Sequence, residues 1–351
     1  MTTMAKYLFI LLLLPILAMA NGDTGRYSKE KKISKSYTVS PTAALDVTNR
    51  YGTVYVTTWD QNQTVIDVVI KVSADKEDQL DKRLNSIDVA FAATTAKVTA
   101  ETRIGNFSGR NVSMEINYTI KIPKKNSIDI TNQYGATILG KIYGRAVLKE
   151  QYGSLTIDEL NGSKNEISLQ YSDGVKINYI GLSRISAQYS KLNITKADEE
   201  LILNSEYTDT HIGWVNRLNV KGNYGDLRVD TASEVIADID YLSARFGAIT
   251  KLLNATVSYG DIKIDRITKE ARDITIKSEY GYVGIKFDAT HAFDFQAKAT
   301  YGSVTGLQNI TLTEKKDYST GGGFYKGTYR NGGVAHITLE NSYGDTNIAK
   351  L

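Results

Sequence analysis

The sequence predicts an all-β protein, a parallel β-solenoid (β-helix-like) with coils of about 18 residues. Three observations carry this prediction. A tyrosine recurs at nearly constant spacing, apolar and polar residues alternate on both sides of it, and the chain is rich in Gly (28) and Tyr (23) but poor in Pro (3). Period-two alternation is typical of strands with one buried face, and scarce proline suits many hydrogen-bonded strands joined by glycine turns.

The first element along the chain is a segment typical of export signals. Lys6 precedes an apolar run over 7–17, which is followed by an Ala-Met-Ala cleavage motif. We therefore expect 1–20 to be a signal peptide cleaved between Ala20 and Asn21, with the mature protein in the periplasm, at the cell surface or secreted. A transmembrane anchor is the alternative, but it needs about 20 apolar residues. No later segment is apolar enough to span a bilayer.

Two further segments precede the regular repeat. Residues 21–36 are polar and basic, and we expect a flexible lead-in there. Residues 37–126 contain one Tyr-Gly unit, several strand-like runs, and a run at 74–87 with helical composition and spacing. We interpret 37–126 as an N-terminal β cap with one short helix, because open solenoid ends expose strand edges that invite aggregation.

The repeat itself is predicted over residues 127–312. From Tyr134 to Tyr301 the steps between successive tyrosines are 17 to 21 residues, and the residue four positions before each tyrosine is apolar. Each unit therefore reads as strand, turn, strand. The predicted turn residues form a ladder along the chain: Tyr51, Gly52, Tyr134, Gly135, Tyr152, Gly153, Tyr171, Tyr189, Tyr207, Tyr224, Gly225, Tyr241, Tyr259, Gly260, Tyr280, Gly281, Tyr301, Gly302, Tyr343 and Gly344.

The phase of the pattern gives expectations for the corner. The tyrosines share the phase of the apolar positions, so their rings are expected to start inward and cap the corner. The following glycine is expected to supply the positive φ of a sharp turn. Side chains about 18 positions apart should lie in consecutive layers, which makes Val220, Leu203 and Ile185 neighbours. An antiparallel meander with Tyr-Gly hairpins is the alternative, although such hairpins favour Asn-Gly or Asp-Gly.

The last segment, 313–351, is a Gly/Tyr-rich stretch followed by a terminal coil. After Tyr301 the register breaks for 42 residues, and 315–333 is especially rich in glycine and tyrosine. This stretch is either a mobile loop or an excursion before the final strand pair, and a loop with exposed aromatic residues that contact a ligand is the sharper alternative.

Composition and motifs exclude several function classes. The chain has no cysteine, which excludes a disulfide framework, a thiolate metal site and a cysteine nucleophile. The net charge of +3 is too small to indicate a nucleic-acid partner. No phosphate-binding, dinucleotide-binding or metalloprotease motif occurs, and we expect no cofactor and no enzymatic activity.

Two repeated features suggest ligands, and each also has a structural interpretation. Aspartates after the turns suggest Ca²⁺ between coils, although the nonapeptide calcium pattern is absent. They are Asp173, Asp209, Asp226, Asp261 and Asp345. The tyrosine ladder suggests a platform for sugars, although its phase with the core favours a structural corner.

Four motifs resemble a known bacterial family of adhesin-like domains of unknown function, found in exported and envelope proteins. The motifs are Asn49–Tyr55 as the first N-x-[YN]-G turn, Thr58-Trp59-Asp60, the strand ending at Pro123, and the restart at Asn132–Gly135. The similarity covers roughly 37–350. It implies a β-solenoid with an envelope or extracellular location, and no catalytic residues.

The predicted function is a non-enzymatic exported envelope protein, an adhesin or structural and binding module that presents a repetitive β-solenoid surface. Its partner is expected to be an envelope or extracellular ligand, glycan or protein. The alternative is a carbohydrate-binding or polysaccharide-cleaving β-helix protein.

Overall fold

The computed structural model describes residues 25–351. The expected signal peptide, with Ala20 and Asn21, lies outside the described residues. The N-terminal part contains β1 (Tyr27–Thr38), β2 (Ala44–Arg50), β3 (Thr53–Trp59), β4 (Gln63–Ala74), α1 (Glu77–Asn85), β5 (Ile87–Ala93), β6 (Lys97–Ile104) and β7 (Val112–Pro123). The chain is all-β, as predicted, and has a solenoid-like shape.

The middle part holds the regular stack. Its strands are β8 (Ser127–Gln133), β9 (Ala136–Ile142), β10 (Ala146–Gln151), β11 (Ser154–Leu160), β12 (Asn165–Gln170), β13 (Gly174–Ile180), β14 (Ser183–Gln188), β15 (Lys191–Glu206), β16 (Asp209–Ser258), β17 (Ile262–Ile267), β18 (Asp273–Glu279) and β19 (Val283–Phe287). Strands β15 and β16 each continue from one coil into the next. Within residues 25–351 no helix is long and apolar enough to cross a membrane.

The C-terminal part contains six strands and one short helical turn. They are β20 (Phe293–Thr300), β21 (Val304–Thr305), a 3₁₀ turn (Leu307–Asn309), β22 (Thr311–Asp317), β23 (Gly322–Tyr329), β24 (His336–Ser342) and β25 (Thr346–Lys350).

Neighbouring coils of the stack pair in parallel and in register. Ile185 lies opposite Leu203, and Leu203 lies opposite Val220, so the predicted layering of these side chains is confirmed. All three are buried, as part of one continuous apolar core. The parallel pairing contradicts the alternative of an antiparallel meander of hairpins, since a hairpin would pair adjacent segments in opposite directions.

The Tyr51 unit is a regular layer of this stack. Strand β2 pairs in parallel with β8, with Leu45 opposite Ile128, and β3 pairs in parallel with β9. On the other side, β6 pairs in parallel with β2 and β7 with β3. The stack therefore begins inside the segment 37–126 that the sequence marked as a cap.

The N-terminal end is closed by antiparallel strands. Strand β5 pairs with β6, β4 pairs with β7, and β1 lies outermost against β4. Helix α1 packs on β4 and β1 and buries Leu80. The expectation of a flexible lead-in at 21–36 is wrong over its described part, because most of that part belongs to β1. Four lysines in this strand discourage further pairing at the edge.

The order of the coils in space departs from their order in sequence at the C-terminal end. Strand β24 lies between β18 and β20, and pairs in parallel with both. Strand β25 lies in the same way between β19 and β21. The coil of Tyr343 therefore separates the coils of Tyr280 and Tyr301, which the spacing had placed in consecutive layers.

The Gly/Tyr-rich segment 315–333 is an excursion that closes this end. It forms the antiparallel pair β22–β23, and β23 pairs antiparallel with β20. Its tyrosines Tyr325 and Tyr329 are buried. The interpretation as a mobile loop is therefore wrong. The outer strand β22 carries charged, exposed residues, which suits an unpaired sheet edge.

Candidate binding surface at the tyrosine corner

Each coil turns at its tyrosine, which adopts a left-handed backbone conformation. All twelve ladder tyrosines have φ between 48° and 63°. Eleven of their side chains are 37% to 51% exposed, and that of Tyr51 is partly exposed. The expectation of inward rings is wrong, because period-two alternation holds only while the backbone stays extended. A left-handed residue at the corner turns its side chain out of phase with the strand before it.

The twelve rings form one continuous column, here called the tyrosine column. Consecutive rings are stacked with centroids 4.6 to 5.1 Å apart and planes within 15° of parallel. A left-handed non-glycine residue costs on the order of 1–3 kcal/mol, and a stacked aromatic pair returns about 0.5–1.5 kcal/mol. Twelve tyrosines share eleven stacked pairs, so stacking returns about one pair energy per residue. This offsets part of the strain and favours an aromatic residue at this position.

The column offers solvent its ring edges and hydroxyl groups. The face of each internal ring is covered by the next ring at about the strand spacing. Sugars stack on ring faces, so the arrangement disfavours the platform that the sequence suggested. The column is a structural corner with a line of exposed phenol groups.

The glycine after the tyrosine is required by close approach between coils. A Cβ on Gly135 would lie 1.9 Å from the carbonyl oxygen of Gly52, and one on Gly153 would lie 2.1 Å from that of Gly135. Among the ladder glycines only Gly52 and Gly225 have a positive φ. The expectation that these glycines supply the left-handed turn is therefore wrong, since the tyrosine supplies it.

Three coils replace this glycine with a buried hydroxyl residue. The hydroxyls of Ser190 and Thr208 donate to the carbonyls of Gln188 and Glu206 at 2.8 and 2.9 Å. Ser172 does the same to the carbonyl of Gln170 at 3.1 Å. These corners accommodate a residue larger than glycine, and its buried hydroxyl group is satisfied by the backbone carbonyl two residues earlier.

In each coil the residue two positions before the tyrosine is the last inward-facing residue of the strand that leads into the corner. In two coils this residue is an asparagine that hydrogen-bonds to the neighbouring corner. Asn132 donates its side-chain amide to the Gly52 carbonyl at 3.2 Å, and Asn341 donates to the Gly281 carbonyl at 3.1 Å. This explains the N-x-Y-G motif, because the asparagine satisfies a backbone carbonyl of the neighbouring coil.

Glu150 occupies the same inward position without such a bond. Its side chain is buried, and neither carboxyl oxygen has a hydrogen-bond partner. Burial raises the pKa of Glu150 to about 8, and the nearby Thr137 hydroxyl lowers that pKa only in part. A carboxyl in this setting is kept in its neutral form near pH 7.

The residues directly before the tyrosines form a second column on the outer surface. Side-chain amides run in one direction along it, from Gln133 through Gln151, Gln170 and Gln188 to Glu206. Each glutamine donates its amide to the next side chain, and the last bond, from Gln188 to the Glu206 carboxylate, is 2.8 Å long. We call these five residues the amide column.

A groove of about 800 Å³ lies beside the C-terminal part of the amide column. Its outward lining consists of two columns of side chains, and each column takes one residue from each of five coils. One is Ser168, Ser186, Asn204, Lys221 and Asp238. The other is Gln170, Gln188, Glu206, Asn223 and Asp240. We call this feature the corner groove. Sequence reasoning missed it, although the run of small polar residues in the first column was a visible signal.

Three of the aspartates after the turns accept hydrogen bonds from the backbone of the neighbouring coil. The carboxylate of Asp209 accepts the backbone N–H of Asp226 at 3.2 Å, and that of Asp345 accepts the N–H of Ser303 at 2.9 Å. Asp261 likewise accepts from Tyr282 at 3.0 Å. Over residues 25–351 no three His, Cys, Asp or Glu side chains are placed to hold a metal ion. These aspartates join successive coils instead.

A family model described as Toastrack DUF4097 matches residues 25–349. The chain belongs to the Toastrack DUF4097 family. The resemblance stated from the N-x-Y-G turns is thereby confirmed. No curated protein matches the chain.

Several solved structures resemble this Toastrack chain. A "putative adhesin" from Parabacteroides merdae has a TM-score of 0.32 and 11% identity, and the match covers 91% of this chain and 96% of that one. A "putative adhesin" from Bacteroides fragilis has a TM-score of 0.24 and 14% identity, with 92% and 97% covered. A "putative lipid binding protein" from Parabacteroides distasonis has a TM-score of 0.28 and 9% identity, with 90% and 96% covered.

Proposed function

We propose that this chain acts after export as a non-enzymatic binding module of the cell envelope, in the manner of an adhesin. The observation that carries the proposal is the repetition of the outer surface. The tyrosine rings recur in successive coils at 4.6 to 5.1 Å, and the amide column repeats glutamine in four coils. A long surface of this kind gathers many weak contacts into one strong attachment.

The sequence supplies the second support, which is the location. The apolar run after Lys6 and the motif ending at Ala20 favour export. A periplasmic, surface or secreted protein meets envelope polymers, and these are repetitive ligands. A solenoid with regularly spaced polar side chains suits such ligands because its own repeat can be matched by theirs.

Two measurements test the proposal. The first is fractionation of cells that express the full chain, with the expected signal removed and the protein in the envelope or the medium. The second is co-sedimentation of the purified mature chain with isolated envelopes. A protein that stays in the cytosol with an intact N-terminus, or that fails to sediment with envelopes, would refute the proposal.

A further inference from the structure

We propose that the corner groove binds a neutral or amino-sugar glycan chain that runs along the solenoid axis, with about one sugar unit facing each coil. This inference rests on the proposed binding function and names its ligand class. Five coils contribute to the groove. The coil spacing is comparable to the length of one unit of an extended glycan chain, so successive sugars can meet equivalent side chains.

The groove exists because small side chains replace large ones along one column. Lys149 lies in register with Ser168, which lies in register with Ser186 and then Asn204. The two serines and the asparagine leave a depression that begins where the lysine ends. The depression follows the axis of the stack, which favours an elongated ligand over a compact one.

The groups available to a ligand are amides, hydroxyls and carboxylates. Strands β12 and β14 pair with a parallel neighbour on both sides, so their backbone groups are already hydrogen-bonded. A ligand must therefore be recognised through side chains such as Ser186, Asn204 and Gln188. Closely spaced donors and acceptors of this kind complement the hydroxyl groups of sugars.

A peptide is a poorer match for the same surface. Peptide recognition uses either an unpaired strand edge or apolar pockets that receive anchor side chains. The apolar side chains of the groove floor, Leu169 and Ala187, are directed into the core and are 1% exposed. The groove therefore lacks both means of holding a polypeptide.

The charge of the groove selects among glycans. Three carboxylates face it, from Glu206, Asp238 and Asp240, against one cation, Lys221, which lies 3.9 Å from Asp238. An anionic polysaccharide would be repelled, whereas a neutral chain or one that carries free amino groups would be accepted. The alternative of a polysaccharide-cleaving protein is disfavoured here where the polysaccharide is acidic, because the same carboxylates would repel it.

The test is isothermal titration of the mature chain with defined oligosaccharides. The probes are β-1,4-linked glucose and N-acetylglucosamine oligomers of two to six units, a fully deacetylated hexamer, and oligogalacturonate. We expect the affinity to rise with length up to about five units, with no binding of oligogalacturonate. Asn204→Arg should weaken binding at least tenfold. Thr131→Arg is the matched control, because Thr131 holds the same strand position outside the groove, and it should bind like the parent.

Circular dichroism of each variant establishes that the coils are intact, and Ser186→Arg provides a second block of the groove if Asn204→Arg is misfolded. Equal losses in the groove variants and Thr131→Arg would overturn the inference, as would preferential binding of oligogalacturonate. Sedimentation with envelopes but no binding of any oligosaccharide would overturn the glycan assignment and leave the binding function standing. Loss of envelope binding as well would remove both.

Discussion

The buried carboxyl of Glu150 makes the stability of the stack depend on pH in an unusual direction. The side chain lies between Asn132 in the preceding coil and Leu169 in the following one. Its pKa is raised from 4.5 to about 8 by burial. The folded state therefore holds a proton that the unfolded chain releases between these two values, so the contribution of this group to stability is full below pH 4.5 and is lost as the pH rises through 8.

The size of the effect follows from the shift. One pKa unit corresponds to about 1.4 kcal/mol, so the free energy of unfolding should fall by about 3 kcal/mol between pH 5 and pH 8 because of this one group. The isosteric neutral variant Glu150→Gln should not show this loss. Glu150→Leu should also remove the pH dependence, because leucine does not titrate. Leucine fits this position, since Leu169 holds it in the next coil.

Urea unfolding followed by circular dichroism at constant ionic strength is a suitable assay, with the parent and Glu150→Gln compared at pH 5 and pH 8. Other titrating groups act in both proteins, so the difference between their two pH slopes isolates Glu150. Equal slopes would refute the reasoning, because they would mean that this carboxyl titrates alike in the folded and unfolded chains.

Three further outcomes are expected. Leu203→Ala should lower the free energy of unfolding by about 2–5 kcal/mol, measured by urea denaturation, because it opens a cavity inside a continuous core; a loss below 1 kcal/mol would contradict this packing. Gly135→Ala should lower the melting temperature, because its Cβ would meet a backbone oxygen at 1.9 Å; an unchanged melting temperature would mean that the neighbouring coil shifts to make room for the methyl group without loss of stability. Tyr189→Val should destabilise more than Tyr189→Asn, because β-branched residues resist the left-handed conformation that asparagine tolerates; the reverse order in thermal melts would contradict a corner governed by backbone strain.

The layering of the coils could be predicted from sequence because one physical rule decides it. Ile185, Leu203 and Val220 recur with the same phase relative to a tyrosine, and burying one apolar stripe in every coil requires that these side chains stack. The rule depends only on extended backbone and on constant coil length. Both conditions hold through the middle of the chain.

The orientation of the tyrosines could not be predicted in the same way. Alternation assigns a side to each residue only within one strand, and Tyr189 is the first residue after β14 ends at Gln188. Its φ of 48° breaks the alternation, and no local sequence rule favours tyrosine in that conformation. The stabilising partner is another tyrosine about eighteen residues away, so the cause of the conformation is visible only once the coils are stacked.

The corner groove was missed for a related reason. Ser168, Ser186 and Asn204 are ordinary exposed residues when each is considered alone. They form a depression because parallel register brings them together and because longer residues stand at its border. Parallel register places residues about eighteen positions apart next to one another on the surface. A column of small polar residues can therefore be recognised as a groove only once the coils are stacked.

The position of the terminal coil marks the limit of periodic reasoning. A repeat pattern specifies which residues of a coil lie above one another, but similar coils satisfy it in more than one order. The Tyr343 unit keeps the full pattern, including Asn341 at the inward position, and so fits between any two layers. The coil of Tyr301 has a different partner available on its outer side, since Phe293 stacks on Tyr329 of the closing hairpin with centroids 5.4 Å apart. That hairpin lies between the two coils in sequence, and it can close the end of the stack only if the coil of Tyr301 is outermost. The coil of Tyr343 then occupies the layer between the coils of Tyr280 and Tyr301. Residues 336–350 therefore join the coil of Tyr301 and its closing hairpin to the rest of the stack.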